Sequence, residues 1–267
     1  MISSSKNRKP VSLFLDVDGT LVEFAPHPDK VVVARPLVSL LAQLYSATAS
    51  ALALVSGRAI ESIDRLFEPF QGSAVGLHGI ELRHPPGAAI ERIAVAPVPA
   101  VLLQAAHRAL AAYNAEFIED KGFSVAIHHR LDAARTEAMR LDLVSACADF
   151  ANDWMVMPGR QVLEIKPARI NKGHGIDRLM AMAPFAGTVP IAFGDDITDL
   201  DMFAAVHRHG GINVSVGPRI ACAGDLHLPS PRSSAAMLTA IAEILSQSNH
   251  AGNILQVMCG NDERRAG

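Results

Sequence analysis

Short apolar runs alternate with amphipathic segments in both the first and the last third of the chain. Five runs predict buried strands: VSLFLDV, ALALVS, SAVGLHG, VPIAF and GINVSVG. Four segments with apolar residues three or four apart predict helices: RPLVSLLAQLYSA, GRAIESIDRLF, NKGHGIDRLMAM and DLDMFAAVHR. Strands that alternate with helices indicate a doubly wound parallel sheet. We therefore predict an α/β, Rossmann-like core.

The middle of the chain has a different rhythm. Two helical segments, VPAVLLQAAHRALAAYN and LDAARTEAMRLDLVSACADF, each precede a segment of alternating character, EFIEDKGFSVAIHHR and DWMVMPGRQVLEIKP. Turn signals at Lys121-Gly122 and Pro158-Gly159 predict a hairpin in each of these segments. We predict an α+β cap domain with a small antiparallel sheet, at residues 83–167. It is inserted into a core domain of residues 11–82 and 168–247, with tails at 1–10 and 248–267.

Composition narrows the class of protein. The 267 residues are 49% hydrophobic and 19% charged, as in a folded globular chain, and the formal net charge is -3. A slightly negative net charge does not indicate the basic surface of a nucleic-acid-binding protein, so we expect no nucleic-acid partner. The three cysteines are far apart, which favours neither a disulfide framework nor a zinc site and fits a reducing cytoplasm. No segment is apolar over the length of a membrane span or signal peptide, so we expect no membrane partner and a cytoplasmic location.

Two acids end the first predicted strand. Asp16 and Asp18 are two residues apart, so both can face one ligand, and Gly19 permits a sharp turn after them. A plain Asp-Gly turn is the alternative. A calcium loop is excluded, because Gly19 falls at the fourth place from Asp16 rather than the sixth, and the twelfth is His27 rather than an acid.

A second acidic cluster, GDDITDLD, follows the strand VPIAF. Parallel strands end at one edge of a sheet, so Asp195, Asp196 and Asp199 are expected near Asp16. Carboxylates gathered there repel one another, and a bound Mg²⁺ relieves that repulsion. The alternative is an acidic helix start, since negative charge suits a helix N-terminus.

Two further positions suit a phosphate. Ser56 and Gly57 in LVSGR follow the second strand, where a hydroxyl and backbone N–H groups at a helix start can bind an anion. Lys172 in RINKGHG begins another helix and can neutralise phosphate charge. An ordinary N-cap and a solvated lysine are the alternatives.

In chain order, DVDGTL, SGR, Lys172 within NKG, and GDDITDLD resemble the motifs of the haloacid-dehalogenase-like phosphohydrolase superfamily over residues 11–245. The resemblance implies that Asp16 is a nucleophile that becomes an aspartyl phosphate, that Asp18 is the general acid and base, and that Lys172 is also catalytic. It implies that Ser56, Gly57 and Lys172 bind the phosphate. It further implies Mg²⁺ as the cofactor, held by Asp16, the backbone carbonyl of Asp18, and Asp195, with Asp199 or Asp196 completing the shell.

The cap segments EDKGFSVAIHHR and PGRQVLEIKP, with GLHGIEL before them, closely resemble trehalose-6-phosphate phosphatases. The resemblance implies a phosphoric monoester hydrolase that performs the last step of trehalose biosynthesis. It implies a small sugar phosphate as substrate, and we expect a monomer. The sugar-contacting candidates are Glu119, Lys121, Arg130 and Glu164.

Other functions stay open on the residues alone. The chain could act on sucrose phosphate or a glyceryl sugar phosphate, or it could be a phosphosugar mutase of related fold. A receiver-like module phosphorylated at Asp16 is disfavoured by Asp18 and by the large insert. His128 and His129 favour no metal site, because neighbours in a strand face opposite ways and no acids have ligand spacing with them. His78 can reach the core site from a strand end, although a structural role is the alternative.

Overall fold

The structure is a computed structural model that describes residues 9–25 and 30–247. Of the two predicted tails, residues 1–8 and 248–267 lie outside the described residues. The described residues form two compact units. The first comprises those within Met1–Arg92, Lys172–Asp195 and Asp199–Gly267, and the second comprises Ile93–Asn171 and Asp196–Thr198.

The first unit contains an eight-stranded sheet in the order β12-β11-β10-β1-β2-β3-β4-β5. Its strands are β1 Val11–Leu15, β2 Leu52–Val55, β3 Ser73–Gly76, β4 Glu81–Arg83, β5 Glu91–Arg92, β10 Val189–Gly194, β11 Ile212–Val216 and β12 Leu226–Leu228. The strands from β12 to β3 are parallel, which confirms the predicted α/β core. The last two strands, β4 and β5, run antiparallel and extend one edge.

Five helices of the first unit accompany this sheet: α1 Arg35–Ala47, α2 Ile60–Phe67, α5 Lys172–Met180, α6 Leu200–Arg208 and α7 Pro231–Gln247. Helix α1 has a proline in its first turn, where the missing N–H has no helical partner to lose. Its residues Leu41 and Leu44 are fully buried in a cluster with Leu13 and Leu15 of β1 and Leu238 of α7. Continuous apolar strands are what burial on both sheet faces requires.

The second unit contains a four-stranded antiparallel sheet in the order β6-β7-β9-β8. Its elements are α3 Ala100–Tyr113, β6 Phe117–Asp120, β7 Val125–His128, α4 Ala133–Ala146, β8 Trp154–Gly159 and β9 Val162–Pro167. Alternate strand residues, among them Val125, Ile127, Leu163 and Ile165, are buried in a core with residues of both helices. The predicted α+β character and the two hairpins are confirmed.

The second hairpin turns two residues later than predicted. Pro158 and Gly159 pair with β9, and Gly159 lies opposite Val162, so the turn consists of Arg160 and Gln161. Gln161 adopts a left-handed conformation with φ 56°, which a tight hairpin turn requires. The Pro-Gly pair was therefore a misleading turn signal.

The second unit begins at Ile93 rather than at residue 83. The reason is that Leu82 in β4 pairs with Glu91 in β5, and β4 pairs in turn with β3. These short strands keep residues 81–92 with the first unit. Among the described residues, no helix combines the length and the apolar character that crossing a membrane requires.

Candidate active site

Three neighbouring parallel strands of the first unit end in the residues that the sequence singled out. Strand β1 is followed by Asp16, β2 by Ser56 and β10 by Asp195, and β1 lies between the other two. The sheet ladder continues one step past β1, since the Asp16 amide donates to the Phe193 carbonyl at 3.0 Å. The strand register therefore fixes the backbone from which these side chains extend.

A buried ion network lies at this edge. The Lys172 Nζ, at the first residue of α5, donates to Asp16 Oδ1 at 2.6 Å and to Asp199 Oδ1 at 2.7 Å. The other Asp199 oxygen accepts the Asp195 amide at 3.0 Å. Asp16, Asp199 and Lys172 are all almost wholly buried. One ammonium thus holds two carboxylates in fixed positions.

Burial and charge act together on these groups. Burial and the nearby Asp199 charge raise the pKa of Asp16 to about 7, although Lys172 opposes the shift. Burial acts to lower the pKa of Lys172, but the carboxylates of Asp16 and Asp199 outweigh it and raise that pKa. The lysine is therefore a permanent cation, and one positive charge does not fully balance the acids around it.

The acids fit a divalent cation. Asp16, Asp195 and Asp199 each offer an oxygen, and these oxygens lie within 4.8 Å of one another. Asp16 Oδ2 is buried and has no hydrogen-bond partner among the described residues. A buried carboxylate oxygen without a donor is costly, and a cation bound there would satisfy it. An all-oxygen donor set suits Mg²⁺.

Gly19 leaves room for the Asp195 carboxylate. Its φ of +85° is one that residues with a side chain rarely adopt, and a Cβ there would lie 2.2 Å from Asp195 Oδ2. Of the two acids considered as the further ligand, Asp199 belongs to the cluster with Asp16 and Asp195. The Asp196 carboxylate instead accepts the Ile197 amide at 2.6 Å.

The predicted phosphate seat has a different local structure from the one expected. Helix α2 begins at Ile60 with Ala59 as N-cap, so Ser56 is not an N-cap. The Ile60 amide instead donates to the buried Glu81 Oε2 at 2.8 Å, because a carboxylate from β4 performs the capping. Ser56 Oγ accepts the Arg58 amide at 3.1 Å, which makes Ser56 to Arg58 a tight loop before the helix.

His78 packs against this loop. A Cβ on Gly57 would lie 2.5 Å from His78 Nε2, so a side chain at this position would displace the imidazole. The His78 amide donates to the Ser56 carbonyl at 3.1 Å. His78 and Leu77 both have left-handed backbones, with φ of 55° and 47°. Two such residues in succession are strained, and strain of this kind is common at functional sites.

Asp18 forms a two-point ion pair with Arg58. The Arg58 Nε and Nη2 atoms donate to Asp18 Oδ2 and Oδ1, each at 2.7 Å. No role was predicted for this arginine from the sequence. The signal for it was that a charged residue closely follows Ser56 at the same strand end.

In the second unit, Glu119 of β6 and Glu164 of β9 share one row of the sheet, with Ala126 of β7 between them. Glu164 is buried and accepts from Ser124 Oγ at 2.6 Å and Lys121 Nζ at 3.3 Å. The structure thus brings Lys121 and Glu164 together.

Two other contacts occur on this sheet. Glu119 lies 3.1 Å from His128 Nε2, and that ring stacks on Phe117 with centroids 4.3 Å apart. Arg130 forms its ion pair with Glu116 at 2.6 Å. The hydrogen bond from His128, outweighing burial, holds the pKa of Glu119 below its ordinary value.

The sequence profile described as trehalose-phosphatase matches residues 14–225, which is most of the chain. The chain belongs to the trehalose-phosphatase family. This confirms the resemblance that the motifs indicated.

Named relatives agree with this membership. The chain is 37% identical to a probable trehalose-phosphate phosphatase of Sinorhizobium fredii over 232 residues, 86% of this chain and 87% of the relative. It is also 37% identical to trehalose-6-phosphate phosphatase of Escherichia coli over 213 residues, 76% of each chain. The C-terminal domain of Candida albicans trehalose-6-phosphate phosphatase has the same fold, with a TM-score of 0.76 and 21% identity over 88% of this chain and 93% of that one.

Proposed function

We propose that this member of the trehalose-phosphatase family hydrolyses trehalose 6-phosphate to trehalose and phosphate, the last step of trehalose biosynthesis. Family membership supports the reaction class, and the names of its relatives support the substrate. The observation that carries the proposal is the buried array in which Lys172 contacts both Asp16, at the end of β1, and Asp199, just before α6.

In the first step, Asp16 attacks phosphorus with Oδ1, which Lys172 orients. The bond between phosphorus and the sugar oxygen breaks, and Asp18, which enters this step as the protonated acid, gives that oxygen its proton and becomes the carboxylate. The product is trehalose and a phosphoryl group bonded to Asp16, so one difficult displacement becomes two easier ones.

In the second step, water attacks the phosphoryl group on Asp16, and Asp18 takes a proton from that water. The bond between phosphorus and Asp16 breaks, which restores the carboxylate and releases inorganic phosphate. Positioning and charge neutralisation carry most of the catalysis in such transfers. Lys172, Ser56 and the Gly57 amide are the proposed phosphate ligands.

Mg²⁺ would be held by Asp16, Asp195, Asp199 and the backbone carbonyl of Asp18, and when bound it neutralises charge on the phosphate. The unpaired Asp16 Oδ2 supports this assignment, because it leaves an oxygen available to the cation while Oδ1 contacts Lys172.

We propose that the second unit acts as a cap that selects the sugar. Its candidate ligands are Glu119, Lys121, Arg130 and Glu164. Carboxylates accept hydrogen bonds from paired sugar hydroxyls, while lysine and arginine donate them. The row of Glu119, Ala126 and Glu164 supports the idea, since two acids flank a small residue on one sheet face. We further propose that the enzyme acts in the cytoplasm as a monomer.

Phosphate release from a panel of esters tests the proposal. The panel contains trehalose 6-phosphate, sucrose 6-phosphate, glucose 6-phosphate and glucose 1-phosphate, each with Mg²⁺ and with chelator. We expect magnesium-dependent release chiefly from trehalose 6-phosphate. Preference for another ester would overturn the assignment of the cap residues, and release that persists in chelator would overturn the assignment of the metal.

A further inference from the structure

We propose that Arg58 is a positioning residue that fixes the direction of the Asp18 carboxyl group. The inference rests on the proposed function, because it takes Asp18 as the general acid and base. Its own support is the geometry of the two side chains and of the loop that carries Arg58.

The contact between Arg58 and Asp18 is a two-point fork. Arg58 Nε donates to Asp18 Oδ2 and Nη2 donates to Oδ1, both at 2.7 Å. The two side chains are only 12% and 26% exposed, so solvent competes weakly for these bonds. Two parallel charge-assisted bonds fix the plane of the carboxylate as well as its position. A lysine could hold the charge but could not fix the plane.

The backbone of Arg58 is itself held on both sides. Its amide donates to Ser56 Oγ at 3.1 Å, and its carbonyl accepts the Leu77 amide at 2.9 Å. The loop that delivers the guanidinium is therefore tied to the strand end before it and to the turn after β3. A rigid support of this kind is what a positioning residue needs.

Among the residues that the structure describes, the backbone neighbours of Asp18 give its side chain no comparable support. Asp18 lies in a turn that follows β1, closed by the Gly19 amide donating to the Val22 carbonyl at 2.8 Å. That turn fixes the Cα atom but leaves the side-chain torsions open. The fork with Arg58 supplies the missing constraint on these torsions. Proton transfer requires the acid to lie within hydrogen-bond reach of the oxygen that it protonates, so the direction of the carboxyl group matters.

The nature of the leaving group separates this role from phosphate binding. Trehalose leaves as an alkoxide unless its oxygen receives a proton from Asp18, whereas p-nitrophenolate leaves without one. Loss of Arg58 should therefore slow transfer from trehalose 6-phosphate and spare transfer from p-nitrophenyl phosphate. Because kcat/KM reports the first phosphoryl transfer, it is the quantity to compare.

The experiment compares kcat/KM for both esters in the magnesium-loaded enzyme. We expect Arg58→Met to lower the value for trehalose 6-phosphate about 10- to 100-fold and to leave that for p-nitrophenyl phosphate within error. Arg58→Lys should lower kcat/KM for trehalose 6-phosphate by less than Arg58→Met does, and it should leave the value for p-nitrophenyl phosphate unchanged. The double variant Arg58→Met with Asp18→Asn should be no worse than Asp18→Asn.

Arg140→Met is the matched control. Arg140 forms the same fork with Glu137, with both distances at 2.7 Å, but on the exposed surface of α4. The Arg140→Met variant should have an unchanged kcat/KM for both esters. A control that behaved like Arg58→Met would overturn the proposal, since the effect would then follow from any broken fork.

Equal losses for both esters would contradict the proposal, because they indicate phosphate binding or a general structural role. Losses that add in the double variant would also contradict it, as would full activity of Arg58→Lys. If thermal unfolding shows that Arg58→Met does not fold, Arg58→Lys decides. Failure of the wild type on trehalose 6-phosphate would instead contradict the proposed function, and the same comparison would then use phenyl and p-nitrophenyl phosphate.

Discussion

The two compact units carry charged residues in opposite ways. In the first unit, the side chains of Asp16 and Lys172 are 6% and 2% exposed and contact each other directly. In the second, the side chains of Glu119 and Arg130 are 42% and 55% exposed. Buried charges in fixed contact suit a reaction that needs preorganised electrostatics. Exposed charged side chains can change hydrogen-bond partners at little cost in free energy. They therefore suit a site where a hydroxyl of the bound sugar replaces an earlier partner.

The difference implies that substitutions at Asp16 and Lys172 in the buried array should affect every substrate, whereas those at the exposed residues of the second unit should affect only the preferred sugar. Within the second unit, Glu164 is an exception, since it is buried and accepts hydrogen bonds from Ser124 and Lys121. Glu119 and Glu164 therefore offer a comparison between an exposed and a buried acid in one row of the sheet.

Asp16→Asn should have the largest effect. We expect turnover of every ester to fall at least about 10⁴-fold, because the amide cannot act as the nucleophile. Steady-state phosphate release measures the loss, and circular dichroism controls for folding. Turnover that fell for trehalose 6-phosphate but survived for p-nitrophenyl phosphate would contradict the division between the units.

Lys172→Met should follow, with an effect on stability as well as on activity. Removing the ammonium leaves two buried carboxylates uncompensated, which costs about 3 to 5 kcal/mol. Urea unfolding measures the loss with and without Mg²⁺, and it should be smaller when the ion is present, because the ion supplies positive charge to the same acids. Equal losses in both conditions would show that the lysine and the ion do not share these ligands.

Gly19→Ala tests the packing beside the metal ligands. A methyl group would lie 2.2 Å from Asp195 Oδ2, and the backbone at φ +85° disfavours alanine by about 1 to 2 kcal/mol. We expect weaker activation by Mg²⁺, seen as a higher ion concentration for half-maximal rate. Gly87→Ala is the control, since Gly87 also has a positive φ but has open space around it. The same shift in Gly87→Ala would assign the effect to backbone strain alone.

Glu119→Gln should give the smallest effect. Losing one charged acceptor should lower kcat/KM for trehalose 6-phosphate by about 10-fold, and p-nitrophenyl phosphate should be unaffected. Glu164→Gln should in addition lower thermal stability, because Lys121 loses the negative charge of its buried partner. If Glu119→Gln also slowed p-nitrophenyl phosphate, the acid would not be a sugar ligand.

The sequence predicted the parallel core because its strands are continuous apolar runs, and it predicted the acids because they end those runs. It did not predict β4, β5 or β12, since strands of two or three residues are too short to show a period. It misplaced the second hairpin turn, because Pro158 and Gly159 are turn residues that here pair within a strand.

Within the site, the missed features all depend on contacts distant in sequence. The fork from Arg58 to Asp18 joins residues 40 positions apart, and Glu81 caps α2 from 21 positions away. The alternative role considered for Ser56, an N-cap, came from local pattern, because a serine before a helix is a common N-cap. Lys172 was expected to neutralise phosphate charge, but its pairing with Asp16 and the burial of both side chains are visible only in the folded chain.

Trapping the covalent intermediate tests the central claim most directly. The enzyme is mixed with trehalose 6-phosphate and Mg²⁺, quenched in acid and reduced with borohydride, which converts an aspartyl phosphate to homoserine. Peptide mass spectrometry should find homoserine at position 16 in the wild type and none in Asp16→Asn. Phosphate release without modification of Asp16, or modification at another acid, would contradict the account.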